Sequence, residues 1–383
     1  MRVAVPKEIK DGEKRVALVP DVINKLTRLG LDVVIEAGAG IHSQATDADF
    51  TAAGATVKQG DVLADADVVL SVQPLTAQQM ATLKKGAITI SFLSPVTAVD
   101  SIDAAAAAGV TAFSLELVPR ISRAQSMDAL TSQALCAGYR AAVVGAELSP
   151  RFFPMLMTAA GTVTPAQVLV LGAGVAGLQA IATSRRLGAV VSAYDVRPAS
   201  ADEVRSMGAT FIQLELEALE GAGGYAREMT EERAAKQREL LTPYIAKSHV
   251  VITTAAVPGR AAPRLMTKEM VDSMEAGTII VDLAAETGGN VEGSKPGEII
   301  ETPGGVRIWG GKDVPSQLPF HASSLYSRNV VNLLTLMTTP AAPSREDKPA
   351  QELVLNINFD DEIINYAALT HGGARREPVK AAQ

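Results

Sequence analysis

Short runs of β-branched and aliphatic residues alternate along most of the chain with segments whose apolar positions recur at helical spacing, the pattern of strands and helices that build a parallel sheet. In the first half this pattern predicts strands at 2–5, 32–36, 67–72, 87–92 and 110–115, with helices between them at 20–29, 76–84 and 97–108. The last of these is so rich in alanine that propensity alone supports it. From 126 to 148 the helical spacing continues without a strand break, which predicts a long helix crossing between domains. A second alternating series follows, with strands expected at 167–171, 189–195, 250–255, 278–284 and 306–309. After it, 323–337 reads as another long helix, 338–350 as a flexible connection loaded with proline and charge, and 353–357 and a polar end at 372–383 finish the chain. No repeat of fixed period is present, so the halves are alike in kind without sharing a motif. The expected fold class is α/β, with two doubly wound parallel-sheet domains separated by a cleft. One domain covers 1–128, completed by about 330–383, and the other 140–320, with the helices at 126–148 and 323–337 joining them.

Composition narrows the classes. The chain has 383 residues, 47% of them hydrophobic, enough to fill more than one core. Cys136 is the single cysteine, so no disulfide framework exists. With no signal peptide ahead of the first strand, a reducing cytoplasm is the expected compartment. The formal charge is −7, and lysines and arginines are spread evenly without interleaved aromatics, which disfavours nucleic acid as a partner. Residues 152–184 carry no charge, a stretch longer than the roughly 20 residues a bilayer span needs. Pro154, Gly161, Pro165, Gly172, Gly174 and Gly177 interrupt it, so no unbroken apolar helix fits and a soluble chain is expected.

Part of that stretch carries chemistry. Gly172-Ala173-Gly174-Val175-Ala176-Gly177 follows a strand directly and opens a helix, the context in which a GxGxxG pattern binds a dinucleotide. The first glycine allows the tight turn, the second lets the backbone approach a pyrophosphate, and the third lets helix pack on strand. The helix N-terminus then offers N–H groups and a positive dipole end to the phosphates. The next strand ends in Asp195, near the distance at which a carboxylate accepts the ribose 2′-OH. A carboxylate there repels a 2′-phosphate and favours NAD(H) over NADP(H). Beyond Val196, Arg197 leaves three roles open: holding that phosphate, contacting the adenine, or standing in solvent.

Two further segments stand out. Pro119-Arg120-Ile121-Ser122-Arg123-Ala124-Gln125-Ser126-Met127-Asp128 lies at the carboxyl edge of the first sheet, where open α/β folds place ligands. Its residue types fit either a ligand site or a polar interdomain loop in which Ser126 caps the following helix. The glycine-hinged stretch at 221–229, with Gly224, Tyr225 and Met229, fits either a loop closing over a nucleotide or a surface insertion. Of the four histidines, His42, His249, His321 and His371, none has a partner at catalytic spacing, and no set of residues has metal-ligand spacing.

The opening Val5-Pro6-Lys7-Glu8-Ile9 and Glu13-Lys14-Arg15-Val16-Ala17-Leu18 resemble the start shared by alanine dehydrogenases and the NAD(H)-binding alpha subunit (domain I) of proton-translocating nicotinamide nucleotide transhydrogenase. The motif at 119–128, Met157-Thr-Ala-Ala-Gly-Thr-Val, the glycine fingerprint, Gly-Gly-Tyr225-Ala-Arg-Glu-Met and Asp282-Leu-Ala-Ala-Glu-Thr-Gly-Gly-Asn290 resemble the transhydrogenase across nearly the whole chain. Alanine dehydrogenases hold pyruvate through an arginine, a lysine and a histidine; Arg15 is kept, while Gln73 and Ser94 stand near the other two positions. The resemblance therefore implies two Rossmann-like domains and a transhydrogenase component, with alanine or amino-acid dehydrogenase as the alternative and a non-catalytic NAD-sensing module as a third class.

Residue by residue, the resemblance implies that Arg120, Gln125 and Asp128 surround the nicotinamide, with Ser122 and Thr131 beside them. It assigns nucleotide contacts to Gly172, Ala173, Gly174, Val175 and Gly177, and to Asp195, Val196 and Arg197. It adds Gly224 and Tyr225 of the mobile loop, Gln237 beyond it, and the segment at 253–259, where Ala255 and Ala256 wall the adenosine side. It also implies Si/Re-type hydride transfer from NADH to NADP⁺ on a separate beta subunit, coupled to proton translocation by a membrane-spanning subunit. A homodimer exchanging the hairpin at 153–163 and a location at the cytoplasmic face of the inner membrane, reached through the partner subunits, follow from the same likeness. No metal is implied. Hydride passing between two nicotinamide carbons moves no proton onto oxygen or nitrogen, which accounts for the missing acid–base residues.

Overall fold

In the computed structural model, which describes residues 1–216, 230–256, 260–340 and 353–377, the alternating pattern at the start of the chain becomes a six-stranded sheet. Its strands are β1 (Arg2–Val5), β2 (Asp32–Glu36), β3 (Thr56–Lys58), β4 (Val68–Leu70), β5 (Ile88–Ser91) and β6 (Thr111–Ser114), all parallel, in the order β3-β2-β1-β4-β5-β6. The chain winds outward from β1 on one side, then returns to start again at β4, so the sheet reverses direction between β1 and β4. β4, β5 and β6 are buried along their whole length, as strands covered on both faces must be. One face packs Ile23, Leu26 and Phe50 with Tyr326, Val330 and Leu334 of the helix Pro319–Met337. The other packs Val69 and Ala112 against Met80, Ile102 and Ala105.

This sheet belongs to the first of two compact units, Met1–Gln133 with Ser316–Gln383; the second is Ala134–Pro315. The chain passes from one to the other within the helix Ala129–Leu148. The second unit opens with an antiparallel hairpin, β7 (Leu156–Thr158) and β8 (Gly161–Val163), exposed at every residue. Its main sheet comprises β9 (Gln167–Leu171), β10 (Val190–Tyr194), β11 (Thr210–Phe211), β12 (Val250–Thr253), β13 (Ile279–Asp282), β14 (Ile299–Glu301) and β15 (Arg307–Gly310). The order is β11-β10-β9-β12-β13-β15-β14, parallel except for β14, and it reverses between β9 and β12. Separate apolar clusters cover the two faces, one around Val168, Val170 and Ile181, the other around Leu169, Leu171, Leu241 and Ile245.

Both doubly wound sheets expected from the alternating pattern are present. The departures have local causes. The helix expected from 126 begins at Ala129, because Ser122–Met127 winds as a 3₁₀ turn and Asp128 leaves helical geometry at φ −74°, ψ 88°. The connection expected at 338–350 starts instead as a strand, Thr338–Pro340, paired with Leu353–Leu355; 341–352 lie outside the described residues. The unpredicted strands β3, β11 and β14 are two or three residues long and at sheet edges, too short and too exposed to show a period. Among the described residues no helix is long and apolar enough to cross a membrane.

Candidate functional site

The glycine turn of the second unit has the geometry that backbone recognition of phosphate requires. Gly172 ends β9 at φ 102°, a left-handed conformation that L side chains rarely adopt, and donates its N–H to the Tyr194 carbonyl at 2.8 Å. A Cβ on Gly177 would sit 1.9 Å from the Gly172 carbonyl oxygen, so only glycine lets the helix Val175–Arg186 start against its own strand. Gly174 is the opposite case: nothing lies within 4 Å of the place its Cβ would take. It caps the helix without any side chain, leaving the first-turn N–H groups facing outward. Ala173 is buried and Val175 is 37% exposed, so the turn has one anchored and one open side. These residues fit a dinucleotide's pyrophosphate.

Asp195 follows β10 with its carboxylate almost wholly engaged. Oδ2 accepts the Ala173 N–H at 2.7 Å and Arg197 Nη2 at 3.1 Å, while Oδ1 accepts Arg197 N and Nε, each at 2.9 Å. The hydrogen bonds to Asp195 hold the Arg197 guanidinium above its ordinary value. Val196 packs against the core under β9 and β12, as does Ala255, while Ala256 is exposed. Gln237 lies in the helix Glu231–Ala246, 2% exposed, its Oε1 accepting the Tyr194 hydroxyl at 3.2 Å. Burial pushes that phenol up to about 12. Gly224 and Tyr225, and residues 257–259 of the expected adenosine wall, lie outside the described residues.

In the first unit the polar cluster is anchored by two buried side chains, Ala124 and Met127, which turn Ser122, Arg123, Gln125 and Ser126 outward. Arg120 is also exposed. Asp128, not Ser126, caps the long helix: its carboxylate accepts Thr131 N at 2.8 Å and Thr131 Oγ1 at 2.6 Å. Arg123 forks onto Asp361 with two 2.8 Å bonds, and Asn329 and Asn332 both donate to the Ser126 carbonyl. The structure thus joins Asp128 to Thr131 and fixes the loop from both ends.

Arg15 is the residue whose role the structure recasts. Its Nε and Nη2 fork onto Glu13 at 2.8 and 2.6 Å, and Nη1 donates to Gln133 at 2.9 Å. Gln73 and Ser316 donate to the same Glu13 carboxylate at 2.7 and 2.8 Å. Burial pushes Glu13 up, but the bonds and charge of Arg15 outweigh it and bring the carboxyl down to about 2. Nearby, Glu8 accepts Val72 N at 2.6 Å and Gln73 N at 3.2 Å, and burial raises it to about 7. It lines a cavity of about 310 Å³ with Pro6, Gln73, Leu75, Thr76 and Gln79, at the carboxyl ends of β1 and β4. Ser94 sits at φ 44°, its N–H on Glu116 at 2.8 Å.

A polar knot lies at the end of β13, in the segment 282–290 to which the sequence pattern assigns no chemistry. Buried Asp282 accepts Thr253 Oγ1, the N–H groups of Ala284 and Asn290, and that of Val291, at 3.0 to 3.3 Å. Asn290 Nδ2 donates to the carbonyls of Ala255 and Pro263, each at 2.8 Å, so this knot shapes the segment that Ala255 opens. The signal that could have revealed it is a carboxylate closing an apolar strand, with an amide eight residues on. Two histidines have structural partners: His249 Nδ1 accepts Gln167 N at 3.0 Å, and His371 Nδ1 lies 3.0 Å from Thr111 Oγ1. Among the described residues no group of His, Cys, Asp and Glu could hold a metal.

Known proteins share this architecture and much of this sequence. The profile of the alanine dehydrogenase/PNT N-terminal domain matches residues 4–137, and that of the C-terminal domain matches 141–374. The sequence is 46% identical over 393 residues, covering 100% of both chains, to an NAD(P) transhydrogenase subunit alpha of Rhodospirillum rubrum. It is 35% identical over 301 residues, 77% of this chain and 76% of the relative, to an alanine dehydrogenase of Mycobacterium tuberculosis. Among solved structures, a transhydrogenase from Sinorhizobium meliloti is similar with a TM-score of 0.84 at 44% identity, over 99% of each chain.

Proposed function

This chain belongs to the alanine dehydrogenase/PNT family, and from that membership we propose that it is the NAD(H)-binding component of a proton-translocating transhydrogenase. The observation that carries the nucleotide reading is the glycine turn, in which Gly177 seats the helix on its strand and Gly174 leaves the N–H end open. The full-length likeness to a transhydrogenase alpha subunit supports the choice of reaction. Bound NADH would supply a hydride from its C4 directly to NADP⁺ on a partner beta subunit, an exchange that membrane-spanning partners couple to proton movement.

The chain's own residues then have positioning work. The turn at 172–177 holds the pyrophosphate, and Asp195 receives the ribose. Arg120, Gln125 and Asp128 hold the nicotinamide end, with Thr131 fixing the Asp128 carboxylate through its two bonds. Ser122 contributes from the same loop, and Tyr225 with Gly224 from the glycine-hinged one. Gln237 acts with its amide Nε2 or through Tyr194, because its oxygen is occupied there. No residue is asked to be an acid or a base.

A homodimer is part of the proposal. The β7–β8 hairpin is exposed throughout, Met157 to 78%. A lone two-stranded ribbon is marginal in water, and exchange onto a second copy would cover it. The chain is then cytoplasmic, peripheral at the inner membrane through its partner subunits.

Mixing the purified chain with an NADP(H)-binding transhydrogenase domain and following reduction of acetylpyridine adenine dinucleotide by NADPH tests the assignment. A rate no higher than that of the separate components would sink it. Asp128→Asn is expected to slow hydride transfer more than it weakens NADH binding, since asparagine keeps the helix cap; equal losses would remove the positioning role. The rival amino-acid dehydrogenase reading rests on the retained Arg15, whose donors are already shared between Glu13 and Gln133. Pyruvate- and ammonia-dependent NADH oxidation by the isolated chain would establish that rival.

A further inference from the structure

We infer that Arg197 is a latch on the ribose-recognition carboxylate: it occupies on Asp195 the acceptor positions that the two hydroxyls of an adenosine ribose need, and it must swing away for a nucleotide to bind. The inference rests on the proposed nucleotide site and specifies how that site is gated.

A carboxylate offers about four lone-pair directions. On Asp195 four donors are in place: Ala173 N at 2.7 Å, Arg197 N at 2.9 Å, Arg197 Nε at 2.9 Å and Arg197 Nη2 at 3.1 Å. Two are main-chain groups held by the fold, one in the glycine turn and one in the bend after β10. They cannot leave without rebuilding the turn. The other two come from one guanidinium in a fork, the geometry that pairs bidentately with a carboxylate. A vicinal diol also brings two donors on adjacent carbons. Fork and diol therefore compete for the same pair of positions, one on each oxygen.

The carboxylate side chain is only 8% exposed and the guanidinium 23%, so the pair is partly shielded from water and its release opposes binding. The two remaining main-chain N–H bonds keep Asp195 oriented when Arg197 departs. A binding-competent state that is only fractionally populated lowers apparent affinity by that fraction. An ion pair at this level of exposure corresponds to up to about five-fold in such an equilibrium.

The test uses ADP-ribose, which carries the adenosine ribose and pyrophosphate but no nicotinamide, titrated calorimetrically into the full chain. Arg197→Gln retains the main-chain bond to Asp195 and is expected to bind ADP-ribose about two- to five-fold more tightly than the wild type. In the wild type, ¹⁵N spectra should show the Arg197 Nε–H resonance shifting as ADP-ribose is added. Equal or weaker binding by Arg197→Gln, with the wild type binding normally, overturns the latch alone. A loss confined to 2′-phosphorylated ADP-ribose reassigns Arg197 to phosphate recognition and overturns it as well. If wild type and Arg197→Gln both fail to bind ADP-ribose, the nucleotide site itself falls and the latch with it.

Discussion

Glu8→Gln is expected to remove a pH dependence that the first unit now carries. The Glu8 carboxyl is tucked under the backbone after β4, where burial raises it from an ordinary 4.5 to about 7; the neighbouring Glu13 adds to the rise, while the N–H groups of Val72 and Gln73 and the charge of Arg15 oppose it. Because the folded value lies above the unfolded one, the neutral acid contributes stability in full below pH 4.5, and that contribution is lost as pH rises through about 7. A separation of this size, at ~1.4 kcal/mol per pH unit, sets an upper limit of ~3 kcal/mol. The residue is half-buried, so ~2 kcal/mol is the expected size. Glutamine imitates the neutral acid, with one acceptor for the two N–H groups. Urea unfolding of both proteins at about pH 5 and about pH 8 should give similar stabilities at the lower pH and a more stable variant at the higher. Hydrogen-exchange protection of the Val72 and Gln73 amides localises the effect. A stability difference that does not change with pH would refute the assignment of this burial-driven titration to Glu8.

Removing Arg15 tests the neighbouring pair. Arg15→Met leaves the Glu13 carboxylate buried without its partner and should destabilise the first unit by about 3–5 kcal/mol, most of which the Glu13→Gln/Arg15→Met double variant recovers. Glu13 has a folded value of about 2, below the ordinary 4.5, so the pair's contribution is present above pH 4.5 and disappears as pH falls toward 2. The deficit of Arg15→Met should shrink over that window, and thermal melts across it would show whether it does. Gly177→Ala forces a methyl to within 1.9 Å of the Gly172 carbonyl oxygen and should lower stability by about 1–3 kcal/mol while weakening NADH binding. Unchanged melting and unchanged calorimetric affinity would show that the turn is not seated as described. Met157→Asp should convert the proposed dimer to monomer in sedimentation, and a monomeric wild type would remove the hairpin-exchange idea outright.

The features legible in the sequence are those whose cause is local. β9 and its glycine turn are contiguous, so an aliphatic run followed by three spaced glycines shows both the strand and the reason for each glycine. The start of the long helix is not legible in this way: apolar spacing continues across Asp128, and only the Thr131 bonds mark where helical geometry begins at Ala129. What the sequence hides depends on distant pairing. Arg15 reads as an available cation until Gln133, 118 positions away, and Ser316, which reaches the same Glu13, are brought to it. Asp282 and Asn290 likewise acquire meaning only when β12 and β13 lie side by side and their following segments must be tied down.

Comparing the two sheets separates scaffold from site. Each reverses direction beside its first strand, and in each a carboxylate at the end of the second strand takes an N–H from the segment after the first: Glu36 takes Lys7 N at 2.8 Å, and Asp195 takes Ala173 N at 2.7 Å. That carboxylate alone is therefore no mark of ribose recognition, because the same topology installs one where no glycine turn exists. The difference lies in what fills the space an anion could take. In the first unit Pro6-Lys7-Glu8 follows β1, and the Glu8 carboxyl itself receives Val72 N and Gln73 N, so the protein supplies its own acceptor for these N–H groups. In the second, Gly174 leaves that space clear and the helix end open. A second phosphate-binding turn would require the first unit to lose Glu8 and gain glycines, which is the physical reason that two halves of one architecture share no motif.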